Sequence, residues 1–165
     1  REERYVPPRK GRNHVLRVIR EVLTFQPVGR GTNLTLALES LARGIRRRSV
    51  AFVVSDFLDA DFERALRLAN RKHDVIALSL SDPRELELPP VALLELEDAE
   101  TGRRLLVDTW DRKAMHEFAA HQKARAEARR RIFRRKEVDF VELSTSSPYD
   151  LPLIRFFHER ARRLR

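Results

Sequence analysis

SVAFVVSDFLDADFERALRLANRKHDVIALSL, residues 49–80, decides the fold. Its two ends, Ser49–Ser55 and Asp74–Leu80, are short, nearly continuous apolar runs rich in β-branched residues. A strand with one face in water alternates apolar with polar side chains. A continuous run instead belongs to a strand covered on both faces, the usual condition of a parallel sheet. Between the runs, Phe62, Ala65, Leu66 and Ala69 recur at helical spacing behind Asp59 and Asp61, either of which suits an N-cap. The stretch is therefore a strand–helix–strand unit, and the sheet is expected to be parallel.

Outward from this unit the alternation continues. Upstream, Val15, Val18, Ile19 and Val22 define an amphipathic helix over Arg12–Phe25, closed by Pro27 and Gly29. A second helix after Gly31 carries Leu34, Leu38, Leu41, Ala42 and Ile45 on one face, with Gly44 near its end, and is expected to pack on the sheet. Downstream, SDPRELELPP (81–90) is a turn-rich connection, and Leu93–Glu97 pairs with Arg104–Asp108 across AETG as a hairpin. Asp111 to about Lys136 is a long helix, apolar at Met115, Phe118 and Ala119 and again at Ile132 and Phe133, with a middle that faces solvent. Val138–Leu143 is a last strand. Ser147 then suits a cap, Pro148 a first helical position and Asp150 the favourable end of a helix dipole, with Tyr149, Leu153, Phe156 and Phe157 on the buried face. The expected architecture is one α/β domain over residues 1–165, a mainly parallel, Rossmann-like sheet flanked by helices with an added β-hairpin.

A chain of 165 residues, 42% hydrophobic, can bury a sizeable core. It opens Arg1-Glu2-Glu3-Arg4 without Met and reads as an excerpt from a longer protein. Absence of cysteine excludes disulfides, thiolate metal sites and a Cys nucleophile within these residues, and suits a reducing compartment, so a cytoplasmic location is expected. No run approaches the roughly 18 apolar residues that a membrane helix needs. The net charge of +9 is local: residues 112–136 hold ten Lys or Arg against Glu117 and Glu127, leaving 24 bases against 23 acids elsewhere.

Open parallel sheets bind ligands beyond the carboxyl ends of their strands. Two loops qualify there: Gly29-Arg30-Gly31-Thr32-Asn33 before a helix, and Ser55-Asp56 after the strand VAFVV. The Thr32 hydroxyl and the Asp56 carboxylate are hard oxygen donors suited to Mg²⁺ or another divalent cation. On spacing alone the ordinary reading is the preferred one: Thr32 as an N-cap, Gly29 and Gly31 as turn residues, Asp56 as the start of a turn. His14, His73, His116, His121 and His158 form no ligand pair, because His116 and His121 are five apart rather than four. Ser144, Thr145, Ser146 and Ser147 lack a glycine-flanked nucleophile elbow, and Thr32-Asn33 does not complete a phosphate-binding loop.

The Arg-rich segment offers Arg125, Arg129, Arg130, Arg131, Arg134 and Arg135 as a basic surface for nucleic acid or for an acidic protein patch. Alternatively it is a solvated helix face supported by a Glu127–Arg131 pair. Phe133 alone among aromatics interrupts the bases from Lys123 to Glu137, which argues against a stacking platform for single strands.

Taken in order, YVPPRKGRNHVLRVIREVL, GRGTN, SVAFVVSDFLD, HDVIALSLSDPRELELP, the DAETG hairpin and ELSTSSPYDLPLIRFF resemble a von Willebrand factor A-like domain of the bacterial "domain of unknown function fifty-eight" family. The resemblance implies a metal-ion-dependent adhesion site in which Thr32 matches the second-loop threonine and Asp56 the third-loop aspartate. The family's first strand and its Asp-x-Ser-x-Ser loop have no counterpart here, so the implied site is incomplete. It also implies a non-enzymatic, metal-assisted protein-interaction module working with a MoxR-type AAA+ ATPase. The alternative is a nucleic-acid-binding module using the helix at 112–136. Since the absent strand would lie beside residues 49–55, a bare apolar edge is expected, and with it self-association through strand pairing.

Overall fold

The computed structural model describes residues 4–26, 31–59, 61–98 and 101–163. In chain order the elements are α1 (Arg12–Thr24), α2 (Leu34–Gly44), β1 (Val50–Ser55), α3 (Glu63–Lys72), β2 (Asp74–Ser81), α4 (Pro83–Leu86), β3 (Leu93–Glu97), β4 (Arg104–Asp108), α5 (Arg112–Arg135), β5 (Asp139–Ser144) and α6 (Asp150–Arg163). β1, β2 and β5 form a parallel sheet in the order β1-β2-β5, and β3 and β4 form a separate antiparallel hairpin. The mixed α/β class, the parallel sheet and the hairpin register all agree with the sequence reading.

Because side chains alternate across a strand, each face has its own cover. On one face Ala51, Val53, Val75, Ala77 and Phe140 meet Leu38 of α2, Leu66 and Ala69 of α3 and Phe133 of α5, joined by Phe57 and Phe62. Leu38, Leu66 and Phe133 retain at most 1% of their surface. On the other face Ile76, Val141 and Leu143 lie under Leu153 and Phe156 of α6. There Arg160 reaches down to the carboxylates of Asp74 and Asp139, which stand at the starts of β2 and β5, and so clamps the two strands.

The cover on this second face stops short of β1. Val50, Phe52 and Val54 keep 57%, 50% and 58% of their surface, so the run read as buried on both faces is buried on one. Apolar composition marks what a strand can bury; it does not supply the element that lies over it. α1 forms where expected, yet none of its residues is buried, and Val22 and Leu23 are largely exposed. Paired hydrogen bonds of 3.0 and 2.9 Å from Arg4 to Glu21 hold it to the preceding segment.

Several local expectations need correction. The 81–90 connection contains the helical turn α4, started by Asp82 accepting from the Arg84 N–H at 2.8 Å. Neither Asp59 nor Asp61 caps α3, which begins behind Phe62 without a side-chain cap. α6 starts at Asp150 rather than Pro148, because Ser147 is taken up in a turn closed by its N–H to the Ser144 carbonyl. Tyr149 is consequently exposed, and Ala119 of α5 also faces outward.

Candidate functional site

β1 ends in an abrupt turn. The Ser55 hydroxyl accepts from the Phe57 N–H at 3.0 Å and donates to Asp56 Oδ1 at 3.3 Å, and that oxygen accepts from the Leu58 N–H at 3.2 Å. Phe57 has φ 54°, a left-handed conformation that costs a non-glycine residue about 1 kcal/mol or more. Burial holds it there: its ring centroid lies 5.0 Å from that of Phe133 and 5.6 Å from that of Phe62. The aromatic anchor in the core thus turns the chain so that Asp56 stands just past the strand's carboxyl end.

The same loop is stitched to the start of α2. Asp59 Oδ2 accepts the Leu34 N–H at 2.7 Å, satisfying one of the open donors of that helix with a full negative charge. The Thr35 hydroxyl donates to the Asp61 carbonyl at 3.4 Å. Asn33, not Thr32, is the N-cap of α2, its side chain accepting from the Leu36 N–H at 2.7 Å. The turn after β1 therefore meets the start of α2 through Asp59 and Leu34, with Thr32 one residue before the cap. Gly29 and Arg30 of the first loop lie outside the described residues.

Asp56 also lines a small cavity of about 30 Å³, room for about one or two water molecules, at the carboxyl ends of β1 and β2. Ser81, Glu85, Gln122, Arg125 and Arg129 share its walls. Asp56, read from the sequence as a metal ligand, thus meets Arg125 and Arg129 of the basic segment here, while Thr32 is not among the lining residues. Arg129 is partly buried, and its Nε has no hydrogen-bond partner among the described residues. Burial pushes its pKa down from the ordinary value, while the carboxylates of Glu142 and Asp56 pull it back up. A divalent cation at Asp56 would have to bind against this guanidinium. Thr32 and Asp56 supply two hard oxygen donors, part of the set such an ion requires. Among the described residues no group of three or more His, Cys, Asp or Glu is placed to hold a metal ion.

The six arginines do not make one surface. At about 100° per residue, positions 125, 129, 130, 131, 134 and 135 fall all round the helix. Arg130 is engaged by Glu142 of β5 through contacts of 2.8 to 3.0 Å and by Glu127 at 2.6 Å. Arg135 bonds Glu63 of α3 at 3.1 Å. The expected Glu127–Arg131 ion pair is replaced: the Glu127 carboxylate takes Arg130, and Arg131 donates to the Glu127 backbone carbonyl at 3.4 Å. Arg125, Arg131 and Arg134 remain exposed.

A parallel three-stranded sheet with helices on both faces, a separate hairpin and a polar cleft at the strands' carboxyl ends define the chain as an α/β domain of Rossmann-like kind. Its family follows from sequence: residues 1–128 match the family described as protein of unknown function DUF58, and the chain belongs to it. An uncharacterized protein of Mycobacterium avium is 34% identical over 162 residues, covering 95% of this chain and 94% of its own length. Uncharacterized proteins of Mycobacterium bovis and Mycobacterium tuberculosis are 35% identical over 162 residues, and the chain spans half of their length. No solved structure matches the chain. No helix among the described residues is long and apolar enough to cross a membrane.

Proposed function

We propose that this chain is the greater part of a von Willebrand factor A-like protein-interaction module whose docking face is the carboxyl end of the parallel sheet. The observation that carries this reading is the junction of the two loops, where Asp59 of the β1 turn binds the first N–H of α2, two residues beyond Thr32, and Asp56 lines the adjacent cleft. Thr32 and Asp56 would hold part of the shell of a divalent cation, Mg²⁺ being the natural candidate, and a carboxylate from the partner would supply another ligand. The proposed partner is a MoxR-type AAA+ ATPase, by resemblance to the family's other modules. In this reading the chain performs no catalysis of its own.

The arginines favour this reading over nucleic-acid binding. A phosphate-tracking surface needs its cations side by side, whereas here two of the six are held by carboxylates and the rest point in several directions. The test is Mn²⁺-induced broadening of amide signals in the chain and in Asp56→Ala. Broadening centred on residues 31–33 and 55–57 and lost in the variant is the expected result. Broadening scattered over surface carboxylates, or unchanged by the substitution, would sink the metal-assisted reading.

A further inference from the structure

We propose that one face of α5 is the floor of a trough that receives a short segment of the protein partner, with an apolar side chain at one end and a carboxylate at the other. The inference rests on the reading of the chain as a protein-interaction module, but not on the cation. Two cavities carry it. One is the cleft beside Asp56; the other is a groove of about 490 Å³ between the β3–β4 hairpin, α4 and α5. Glu85 and Gln122 line both, so the two are continuous. Apart from Asp56 and Leu58, every residue that lines them falls between 80 and 129, so the trough lies on the β2 side of β1, away from its outer edge.

The floor is a single helical stripe. α5 contributes Phe118 to the groove, Gln122 to both cavities, and Arg125, Ala126 and Arg129 to the cleft. At about 100° per residue these positions fall within about 100° of one another and face the same way. From Phe118 to Arg129 the stripe rises about 17 Å, at about 1.5 Å per residue. An extended chain covers that length in about five residues.

The two ends of the stripe differ in chemistry. At the hairpin end Leu96 and Leu105, opposed in the β3–β4 register and hence on one face, surround the groove with Leu88 and Phe118. Leu105 keeps 63% of its surface and the other three are half-buried, so an apolar side chain laid between hairpin and helix completes their cover. At the sheet end neither Arg125 nor Arg129 forms an ion pair among the described residues, and Arg129 Nε has no hydrogen-bond partner there. Other arginines of the helix are committed, Arg130 to Glu127 and Glu142 and Arg135 to Glu63. Of the acids in the cleft, Asp56 is engaged by the Ser55 hydroxyl and the Leu58 N–H of its own turn, and Glu85 stands where the two cavities join. Two guanidinium groups one turn apart select the occupant by charge: a carboxylate between them supplies the acceptor that Arg129 lacks, whereas a neutral or basic segment leaves both unanswered. The partner segment therefore carries an acidic and an apolar residue about five positions apart.

The experiment pans a phage library of random peptides of about ten residues, twice the span of the trough, on the 165-residue chain, and measures the enriched peptides by fluorescence anisotropy. The expected selection joins Asp or Glu to an aliphatic or aromatic residue about five positions away. Replacing that acid by its amide, Arg125→Glu and Leu105→Glu should each weaken binding at least about tenfold. Arg125 and Leu105 are exposed, so the circular dichroism spectrum should not change. Arg131→Glu, on the opposite side of the same helix, should alter binding less than about twofold, which separates the stripe from a general attraction to a basic chain. The proposal is overturned if no peptide is enriched, if the enriched peptides lack the acid, or if Arg131→Glu weakens binding as much as Arg125→Glu. A dimer in sedimentation that Leu105→Glu dissociates would give the groove to a second copy and overturn it equally. Peptide binding that persists in Asp56→Ala without added Mn²⁺ supports this inference even where the metal-assisted reading fails. Mn²⁺ broadening at residues 31–33 and 55–57 with no peptide selected keeps that reading and overturns this one.

Discussion

The two faces of β1 carry similar side chains and meet opposite environments. Ala51 and Val53 pack towards Leu38, Leu66 and Phe133, while Val50, Phe52 and Val54 of the same six residues remain at least half exposed. β2, one strand further in, is covered on both sides, by α3 and α5 over Val75 and Ala77 and by α6 over Ile76. The difference teaches that hydrophobicity in a strand records a demand for cover and does not by itself supply the covering element. α1 has an apolar side of suitable character in Val15, Ile19 and Val22, yet buries none of it.

Substitution on the two faces should separate them sharply. Phe133→Ala removes a ring that contacts both Phe57 and Phe140 in the closed core and should cost about 3–5 kcal/mol in urea unfolding. Phe52→Ala, measured on dilute monomer, should cost less than about 1 kcal/mol, because half of that side chain is already in water. Equal losses would break the comparison and would mean that the bare face is covered in solution. Next in size is Arg160→Ala on the α6 side. It leaves Asp74 and Asp139 facing each other without their shared cation, and a loss of about 2 kcal/mol is expected. The same unfolding assay checks it, and a neutral result would show that the apolar contacts of Leu153 and Phe156, with the Arg163–Asp139 pair, suffice to hold α6.

The pattern of elements was legible because it rests on short-range periodicity. Strands announced themselves as SVAFVVS and DVIALSL, and the long helix begins where it was expected, with Asp111 as its N-cap accepting from the Lys113 and Ala114 N–H groups at 2.9 and 3.0 Å. The site was legible only in part. Thr32 and Asp56 were singled out on neighbouring loops, but the residue joining those loops, Asp59, was read as a cap for its own helix and instead serves a helix 25 residues earlier. Two aspartates follow Ser55 within four residues, and their spacing alone does not say which turns back. Arg129 was counted with a basic surface, whereas the fold brings it beside Asp56. The left-handed turn at Phe57 left no mark in composition, since neither glycine nor asparagine occupies it; its cause is the aromatic packing of Phe133 and Phe62.

Smaller effects sharpen the contrast between the closed core and the loops at its rim. Asp59→Ala should cost about 1 kcal/mol, the usual worth of a helix cap, and should speed hydrogen exchange at the Leu34 amide more than at Leu38. If the two loops form one site, the same variant should also abolish the Mn²⁺ broadening at residues 31–33 while preserving it at Asp56. Preserved broadening at both would mean that the loops act separately.

The smallest effect is a pH dependence at the opposite side of the cleft, where Asp82 links the α4 turn to the turn that leads into α6. Hydrogen bonds from the Thr145 hydroxyl at 2.7 Å and from the Arg84 N–H hold its carboxyl below the ordinary value of 3.8. A carboxyl depressed in the folded state stabilises it above the unfolded value, and that contribution is lost as the pH falls through the folded one. Asp82→Asn should therefore be slightly less stable than the parent at pH 7, and the gap should close on acidification below about pH 4. Thr145→Ala should move the Asp82 titration, followed by carboxyl NMR, back towards 3.8 without altering the core resonances of Phe133. A gap that persisted at low pH would mean that the asparagine disturbs packing rather than charge. In that event the turn before α6 would belong with the rigid core, not with the adjustable rim of the cleft.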